Sequence, residues 1–154
     1  EKILTDYEED YLLETEPDFQ RGHVWSEKKQ IEYVQYCLNG GTSHKEIIFN
    51  FPNFGIFGEK PASKNNRMVL VDGLQRLTSV LKFIQNQFPV FGKYYFNDFE
   101  DRVKILRKHN LTFFVNNLPT RADVLRYYIQ INSGGVVHSA DEIDRVKDLL
   151  EKES

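Results

Sequence analysis

The chain of 154 residues is 40% hydrophobic and 14% aromatic, which suits one compact domain with a core and excludes an intrinsically disordered chain. Its formal net charge of −3 disfavours nucleic-acid binding through bulk positive charge. Cys37 is the only cysteine, so an internal disulfide and a cysteine-based metal site are excluded, and no apolar run is long enough to span a bilayer. We therefore expect a cytoplasmic protein without membrane contact.

The first part of the chain predicts a lead-in, a helix, a strand and a long loop. Residues 1–10 are acidic, and we expect them to be a loosely ordered lead-in. Ser26 is a typical N-cap for a helix over residues 27–38, which an Asn-Gly-Gly run then ends. Residues 45–51 are typical of a strand. Residues 52–66 form a loop that is too long for a simple connection, which favours a mobile or functional segment.

The rest of the chain predicts two more strands and four helices. Residues 68–72 are a short apolar strand of the kind that is buried on both faces. The next helix carries an apolar stripe made of Leu74, Leu77, Leu81, Ile84 and Phe88. A basic helix over residues 98–109 and a strand from Leu111 follow. Thr120 is expected to cap one helix, and Ser139-x-x-Glu142 is a capping box for the last. Short strands between amphipathic helices predict a single α/β or α+β domain over residues 1–154.

The stretch VLVDGLQRLTS, residues 69–79, joins a strand to a helix and allows two interpretations. Asp72 and Gln75 have the spacing of an N-cap and its reciprocal partner, and the intervening Gly73 lets the chain turn. The same helix start would also present free backbone N–H groups to a phosphate, with the guanidinium of Arg76 nearby. On spacing alone both interpretations stay open.

Other polar groups each have an ordinary structural explanation when taken alone. The stretch Pro17 to Gly22 is typical of a surface turn, and Asn132 with the residues after it is typical of a helix C-cap. A basic face is made of Arg102, Lys104, Arg107 and Lys108. Such a face is usually solvated, although it is also the concentrated positive charge that a weak DNA contact would need. The four histidines fall on separate elements and predict no zinc site.

Three blocks of the sequence, PDFQRGHVW, VDGLQRLTSVLKF and INSGGVVHSADEI, together resemble one family. They are similar to the signature blocks of the N-terminal domain of GmrSD-type modification-dependent restriction endonucleases, within the ParB/sulfiredoxin-like superfamily. That family shows Pro-x-Phe-Gln-Arg-x-Tyr-Val-Trp, then Asp-Gly-Gln-Gln-Arg-Leu-Thr, then Ile-Asn-x-Gly-Gly-x-Pro-Leu-Ser-x-x-Glu. The blocks occur in the same order here and span nearly the whole chain.

The resemblance implies a site for a nucleoside triphosphate with Mg²⁺. It assigns nucleotide binding to Gln20, Arg21, Gly73, Arg76, Thr78 and Asn132. It assigns catalytic roles to Asp72, Gln75 and Arg76, and metal binding to Asp72 and Asn132. In this assignment the two arginines neutralise phosphates, and the Gln-Arg of the first block and the Asn of the third converge on one pocket.

The sequence departs from the family pattern at several positions. Leu74 stands where the family usually has its first Gln, which removes an amide from the expected pocket. His23 replaces a Tyr, and Val137 and His138 replace Pro and Leu. These departures put hydrolysis in more doubt than binding. The chain also ends before a His-Asn-His nuclease domain, so we expect either a stand-alone member of the kind found in phage genomes or an excised domain.

Three functions follow from the resemblance. The first is binding, with or without hydrolysis, of a Mg²⁺-bound nucleotide within DNA restriction or counter-restriction, where a partner chain supplies the nuclease. The second is a catalytically silent interaction module that mimics or inhibits a restriction subunit. The third, DNA cleavage by the ParB-like fold itself, ranks last because the sequence shows no carboxylate cluster for a metal.

Overall fold

The computed structural model describes residues 2–52, 54, 67–108, 110–132 and 140–153. Their elements, in chain order, are α1 (Lys2–Tyr11), α2 (Glu27–Leu38), β1 (Glu46–Asn50), β2 (Val69–Asp72), α3 (Leu74–Ile84), a 3₁₀ helix (Phe96–Asp98), α4 (Arg102–Lys108), β3 (Thr112–Asn116), α5 (Arg121–Asn132) and α6 (Ala140–Lys152). The predicted α+β class is confirmed. Among the residues described, no helix is long and apolar enough to cross a membrane.

The three strands form a mixed sheet in the order β2-β1-β3, and β2 runs antiparallel to β1. Ile48 lies opposite Asp72, whereas the next residue, Phe49, lies opposite Leu70. The register therefore shifts by one residue, and Val71 is the extra residue on β2. A bulge of this kind bends a strand and changes the direction of neighbouring side chains. It lies directly before Asp72, which the resemblance places in the ligand site.

The contacts within the chain group its residues into two compact units, each described here by itself. Unit 1 comprises Glu1–Gly22, Ile48–Asp72 and Phe114–Ser154. Unit 2 comprises His23–Ile47 and Gly73–Phe113. The single domain predicted over residues 1–154 stays a prediction.

Unit 1 has a core built from β2, α5, α6 and the loop before α2. Its buried members are Phe19, Val71, Val124, Leu125, Tyr128 and Val146. The rings of Phe19 and Tyr128 meet edge to face with their centroids 5.3 Å apart. Aromatic pairs in this geometry stabilise a core beyond the area that they bury. The first signature block is therefore fixed to α5 through Phe19.

The N-terminal residues belong to a helix of unit 1, so the expectation of a loosely ordered lead-in over residues 1–10 was wrong. The ring of Tyr7 lies 5.5 Å from that of Phe49, and the ring of Tyr11 lies 5.1 Å from that of Phe51. These contacts join α1 to β1 and to the residue after it. Because the partners are some forty positions away, the acidic local sequence gave no sign of them.

Unit 2 has its own aromatic core, made of Val34, Phe83, Phe88, Val90 and Phe96. The predicted bounds of α2 are confirmed: the Ser26 hydroxyl accepts a hydrogen bond from the backbone of Lys29 at 3.4 Å. The helix predicted over residues 98–109 is shorter, because α4 begins only at Arg102, where Asp101 accepts a hydrogen bond from the backbone of Lys104 at 2.9 Å.

Among the remaining boundaries, α3 ends at Ile84, so Phe88, which was predicted to lie on its apolar stripe, lies beyond the helix. The strands begin and end within one residue of the predicted bounds. The Thr120 hydroxyl accepts a hydrogen bond from the backbone of Asp123 at 3.2 Å, which confirms it as the cap of α5. Residues 133–139, with Val137, His138 and Ser139 of the third block, lie outside the described residues, as does the loop predicted over 52–66 apart from Pro52 and Phe54.

Candidate functional site

The strand-to-helix corner of unit 2 is capped by Gly73 itself. Gly73 has φ 101° and ψ 9° and occupies the N-cap position of α3. The interpretation of Asp72 and Gln75 as a capping box was therefore wrong. A Cβ on Gly73 would lie 3.1 Å from the carbonyl oxygen of Glu46 and 2.6 Å from Cδ1 of Ile47. Gly73 is needed both for its backbone angle and for the close approach of β1.

The side chain of Gln75 makes hydrogen bonds with the segment before α2. Its Oε1 accepts hydrogen bonds from the backbone N–H groups of Val24 and Trp25, each at 3.0 Å. One side-chain oxygen thus accepts hydrogen bonds from two consecutive backbone donors, 51 and 50 positions away. Its catalytic role stays a prediction, while its positioning of this loop is a direct observation.

We expect Gln75→Leu to lower the free energy of unfolding by about 2 kcal/mol, because two backbone donors lose their acceptor, the exposed one of Val24 and the part-buried one of Trp25. Gln75→Glu keeps an acceptor oxygen and is the matched control, with an expected loss below about 1 kcal/mol. Urea unfolding followed by the fluorescence of Trp25, the single tryptophan of the chain, measures both variants. Equal losses in the two variants would contradict the acceptor role.

Arg76, one position further on, is half-buried and lies within electrostatic reach of the buried phenol of Tyr33. Burial raises the pKa of Tyr33 far above its ordinary value, nearby Cys37 adds to the rise, and the charge of Arg76 opposes it. The Tyr33 hydroxyl donates a hydrogen bond to the His44 carbonyl at 2.8 Å. The Arg76 guanidinium therefore lies in a partly desolvated place, where its interaction with an anion would be strengthened.

Leu74 and Thr78 differ in their surroundings. Leu74, which stands where the family usually has Gln, is 6% exposed and belongs to the buried face of α3. Thr78 is half-buried in the second turn. Its assignment to the nucleotide stays a prediction.

In unit 1, the first signature block makes hydrogen bonds with both β2 and α6. The Gln20 side-chain amide donates to the carbonyl of Leu70 in β2. Arg145 of α6 donates to the carbonyl oxygens of Asp18 and Phe19, at 2.7 and 3.1 Å. A turn is present, since the backbone N–H of Gln20 donates to the carbonyl of Pro17 at 2.9 Å. The predicted turn is therefore confirmed, and Phe19 within it is buried, with 2% exposure.

Arg21 meets a carboxylate of the last helix. Its Nη1 lies 3.4 Å from Oε2 of Glu142, and each of the two side chains is 23% exposed. The sequence assigned Glu142 to a capping box with Ser139, which lies outside the described residues. The observed ion pair joins positions 121 apart and connects the first signature block to the third.

Tyr128 lies within electrostatic reach of several charged groups of unit 1. Burial raises the pKa of its phenol above the ordinary value, and the charge of Glu142 adds to the rise. Arg21 and Arg145 oppose the rise, and Asp72 adds to it. Four charged side chains therefore lie within electrostatic reach of one buried hydroxyl.

Asn132 follows Tyr128 by one helical turn of α5. Its side-chain amide donates to the Tyr128 carbonyl at 2.8 Å, and the residue is 9% exposed. Residues four apart share a helix face, so Asn132 and Tyr128 face the same way. We call the resulting group the Arg21 cluster: Arg21, Asp72, Tyr128, Asn132, Glu142 and Arg145.

A comparison with protein families supports the importance of these blocks. The family model described as GmrSD restriction endonuclease, N-terminal domain, matches residues 1–110 of the 154. This chain belongs to the GmrSD N-terminal domain family. Membership of this family indicates a restriction-related role.

The match has a clear extent. It contains the first two signature blocks and ends before the third. Asn132 and Glu142 are therefore assigned to the candidate site of this GmrSD N-terminal domain by their contacts, since the family model does not cover them. No curated protein and no solved structure matches the chain. The assignment to the ParB/sulfiredoxin-like superfamily therefore stays a prediction.

Of the residues that the resemblance assigned, unit 1 brings Arg21, Asp72 and Asn132 around Tyr128, with Gln20 anchoring the same loop. Gly73, Gln75, Arg76 and Thr78 belong to unit 2. The sequence missed three members of the cluster. Tyr128 and Arg145 carried no motif, and Glu142 was explained by a local cap. The Glu that closes the family's third block was the one signal that could have identified Glu142.

A concave region of unit 1, with a volume of about 440 Å³, lies where β2 begins, away from Asp72. Its charged walls are made of ion pairs, Arg67 with Glu14 at 2.8 Å and Arg121 with Glu153 at 3.0 Å. Because each cation is matched by a carboxylate, this region offers no net charge to attract a phosphate. The Arg21 cluster has the same balance of two arginines and two carboxylates, so charge alone does not separate the two regions. The family assignment of Arg21, Asp72 and Asn132 is what favours the cluster.

The predicted basic face is described only in part. Arg102 and Lys104 are exposed on α4, and Arg102 donates to Oδ1 of Asn97 at 2.8 Å. Arg107 and Lys108 belong to the same helix, and their side chains lie outside the described part of the structure. Asp98, Glu100 and Asp101 precede the helix and offset the positive charge. Contact with DNA through this face stays a prediction.

Proposed function

We propose that this domain binds the phosphates of a nucleoside triphosphate, together with Mg²⁺, at the Arg21 cluster, and that binding serves a DNA restriction or counter-restriction system. The proposal is supported by two observations in unit 1: Arg21 and Asp72 lie within electrostatic reach of the Tyr128 phenol, and the Asn132 side chain donates a hydrogen bond to the Tyr128 carbonyl. Arg21, Asp72 and Asn132 come from three separate signature blocks. Local structural needs do not explain why such blocks should converge.

The chemistry of the cluster suits this ligand. A guanidinium has several N–H donors in a planar fork that matches phosphate oxygens. Mg²⁺ in nucleotide sites is usually held by one or two carboxylates with substrate phosphates and water. Asp72 is the carboxylate that the family pattern assigns to this role, with the Asn132 carboxamide beside it. Among the described residues there is no group of three or more His, Cys, Asp or Glu side chains that could hold a metal ion.

Binding, and not hydrolysis, is the activity proposed. Leu74 stands where the family usually has an amide, and its side chain is buried in the core. Arg76 is assigned a phosphate contact by the family pattern, and its own substitution tests that assignment.

Thermal unfolding of the purified domain with each of the four common nucleoside triphosphates, with and without Mg²⁺, tests the proposal. A ligand that binds only the folded state raises its stability, by about 2.7 kcal/mol at a hundredfold excess over Kd. We expect at least one nucleotide to raise the melting temperature, and to do so more strongly with Mg²⁺. No shift with any of the four would favour the silent interaction module.

A further inference from the structure

Glu142 makes an ion pair with Arg21 to which the resemblance assigns no role. It stands in the first turn of α6, and its carboxylate lies 3.4 Å from the Arg21 guanidinium. The pair is one contact at long range and not a two-pronged fork, so most donors of Arg21 are not engaged by this carboxylate. With both side chains 23% exposed, the pair is only partly screened by solvent.

We infer that Glu142 is a specificity-determining residue that favours the magnesium-bound nucleotide over the metal-free one. The inference rests on the proposed function and adds a residue and a preference to it. In the unliganded protein Glu142 holds Arg21, so phosphates must compete with a carboxylate for that guanidinium. Competition of this kind lowers the affinity of every phosphate ligand.

The negative charge of Glu142 adds a second effect that depends on the ligand. Asp72 and Glu142 both lie within electrostatic reach of Tyr128, so a triphosphate bound there approaches two carboxylates. Repulsion grows in proportion to the charge of the ligand. Bound Mg²⁺ cancels part of the triphosphate charge, and the metal-bound form is therefore repelled less.

The test is calorimetric titration of ATP, or of whichever nucleotide binds best, into the wild type and Glu142→Gln, each with Mg²⁺ and with a chelator. We expect Glu142→Gln to raise the affinity about threefold for the magnesium complex and about tenfold for the metal-free nucleotide. The preference for the magnesium complex should therefore shrink about threefold.

Asp141→Asn is the matched control. It removes the same charge from the neighbouring residue, whose side chain is exposed in the same turn of α6. We expect its affinities to stay within about twofold of the wild type, since an exposed charge is screened by salt. Repeating Glu142→Gln in an Arg21→Ala background should remove most of the gain for the magnesium complex, because the competition needs Arg21.

The possible results distinguish the inference about Glu142 from the proposed nucleotide binding. A lower affinity for the magnesium complex in Glu142→Gln would make Glu142 a metal ligand or a support for Arg21, and would overturn the inference. Unchanged affinities, or equal gains in Asp141→Asn, would also overturn it. If the wild type binds nucleotide, the proposed function survives any of these results. If neither protein binds, both proposals fall.

Discussion

Replacing Gly73 with alanine should lower the free energy of unfolding by about 3 kcal/mol, because two separate costs fall on one added methyl group. The first is the backbone angle: at φ 101° an L-residue is strained whatever space surrounds it. The second is contact, since the new Cβ would lie 3.1 Å from the Glu46 carbonyl oxygen and 3.2 Å from Cα of Ile47. These are backbone atoms of β1, which cannot move aside by changing a rotamer.

Gly92→Ala separates these two costs. Gly92 also has a positive φ, 78°, but no atom lies within 4 Å of the position that its Cβ would take. We expect Gly92→Ala to cost only about 1 kcal/mol, the strain of the backbone alone. Urea unfolding of both variants and the wild type measures the difference. Losses of the same size would show that the approach of β1 to the corner does not constrain residue 73.

Elements that depend on local signals were predicted well from the sequence. The bounds of α2 followed from the Ser26 cap and the Asn-Gly-Gly run, and Thr120 was recognised as the cap of α5. Capping uses groups within one turn of the chain, so the information is contiguous. The β2 strand was found for a similar reason, because a short apolar run between polar residues is a local pattern.

The failures share a cause in contacts between distant residues. At the start of α3, Gly73 occupies the N-cap position, and β1 lies close to it. The side chain of Gln75 accepts hydrogen bonds from the backbone of Val24 and Trp25. The spacing of Asp72 and Gln75 allowed a capping box, because spacing along the sequence reports only on contacts between neighbouring residues.

The candidate site was predicted to a similar, limited extent. The family blocks identified Arg21, Asp72 and Asn132, but not the phenol between them. The ring of Tyr128 is buried in the core, with 3% exposure, and the residue belongs to none of the family blocks. A buried ring can serve both the core and a charged cluster when its hydroxyl reaches the edge of the core, and periodicity registers only the ring. Glu142 had a sufficient local explanation, so its partner 121 positions away was not sought.

Arg76→Ala should weaken nucleotide binding at least tenfold, equivalent to about 1.4 kcal/mol, if the family assignment of this residue to phosphate is correct. The expected size follows from the loss of a charge-assisted hydrogen bond in a partly desolvated place. Arg76→Lys keeps the charge but not the planar fork, so we expect it to recover part of the affinity. Calorimetric titration with the magnesium complex of the best-binding nucleotide gives both values.

Two controls keep this result interpretable. Arg126→Ala removes the same charge from α5, where Arg126 is exposed and paired with Asp123 at 2.9 Å, and should leave the affinity within about twofold. The melting temperature of each unliganded variant reports whether the fold is intact, which matters because Arg76 is half-buried beside Tyr33. A folded Arg76→Ala protein with wild-type affinity would remove Arg76 from the nucleotide site. Since Arg21 belongs to the other unit and has its own contacts with α6, that result would leave the Arg21 cluster as the candidate for phosphate binding.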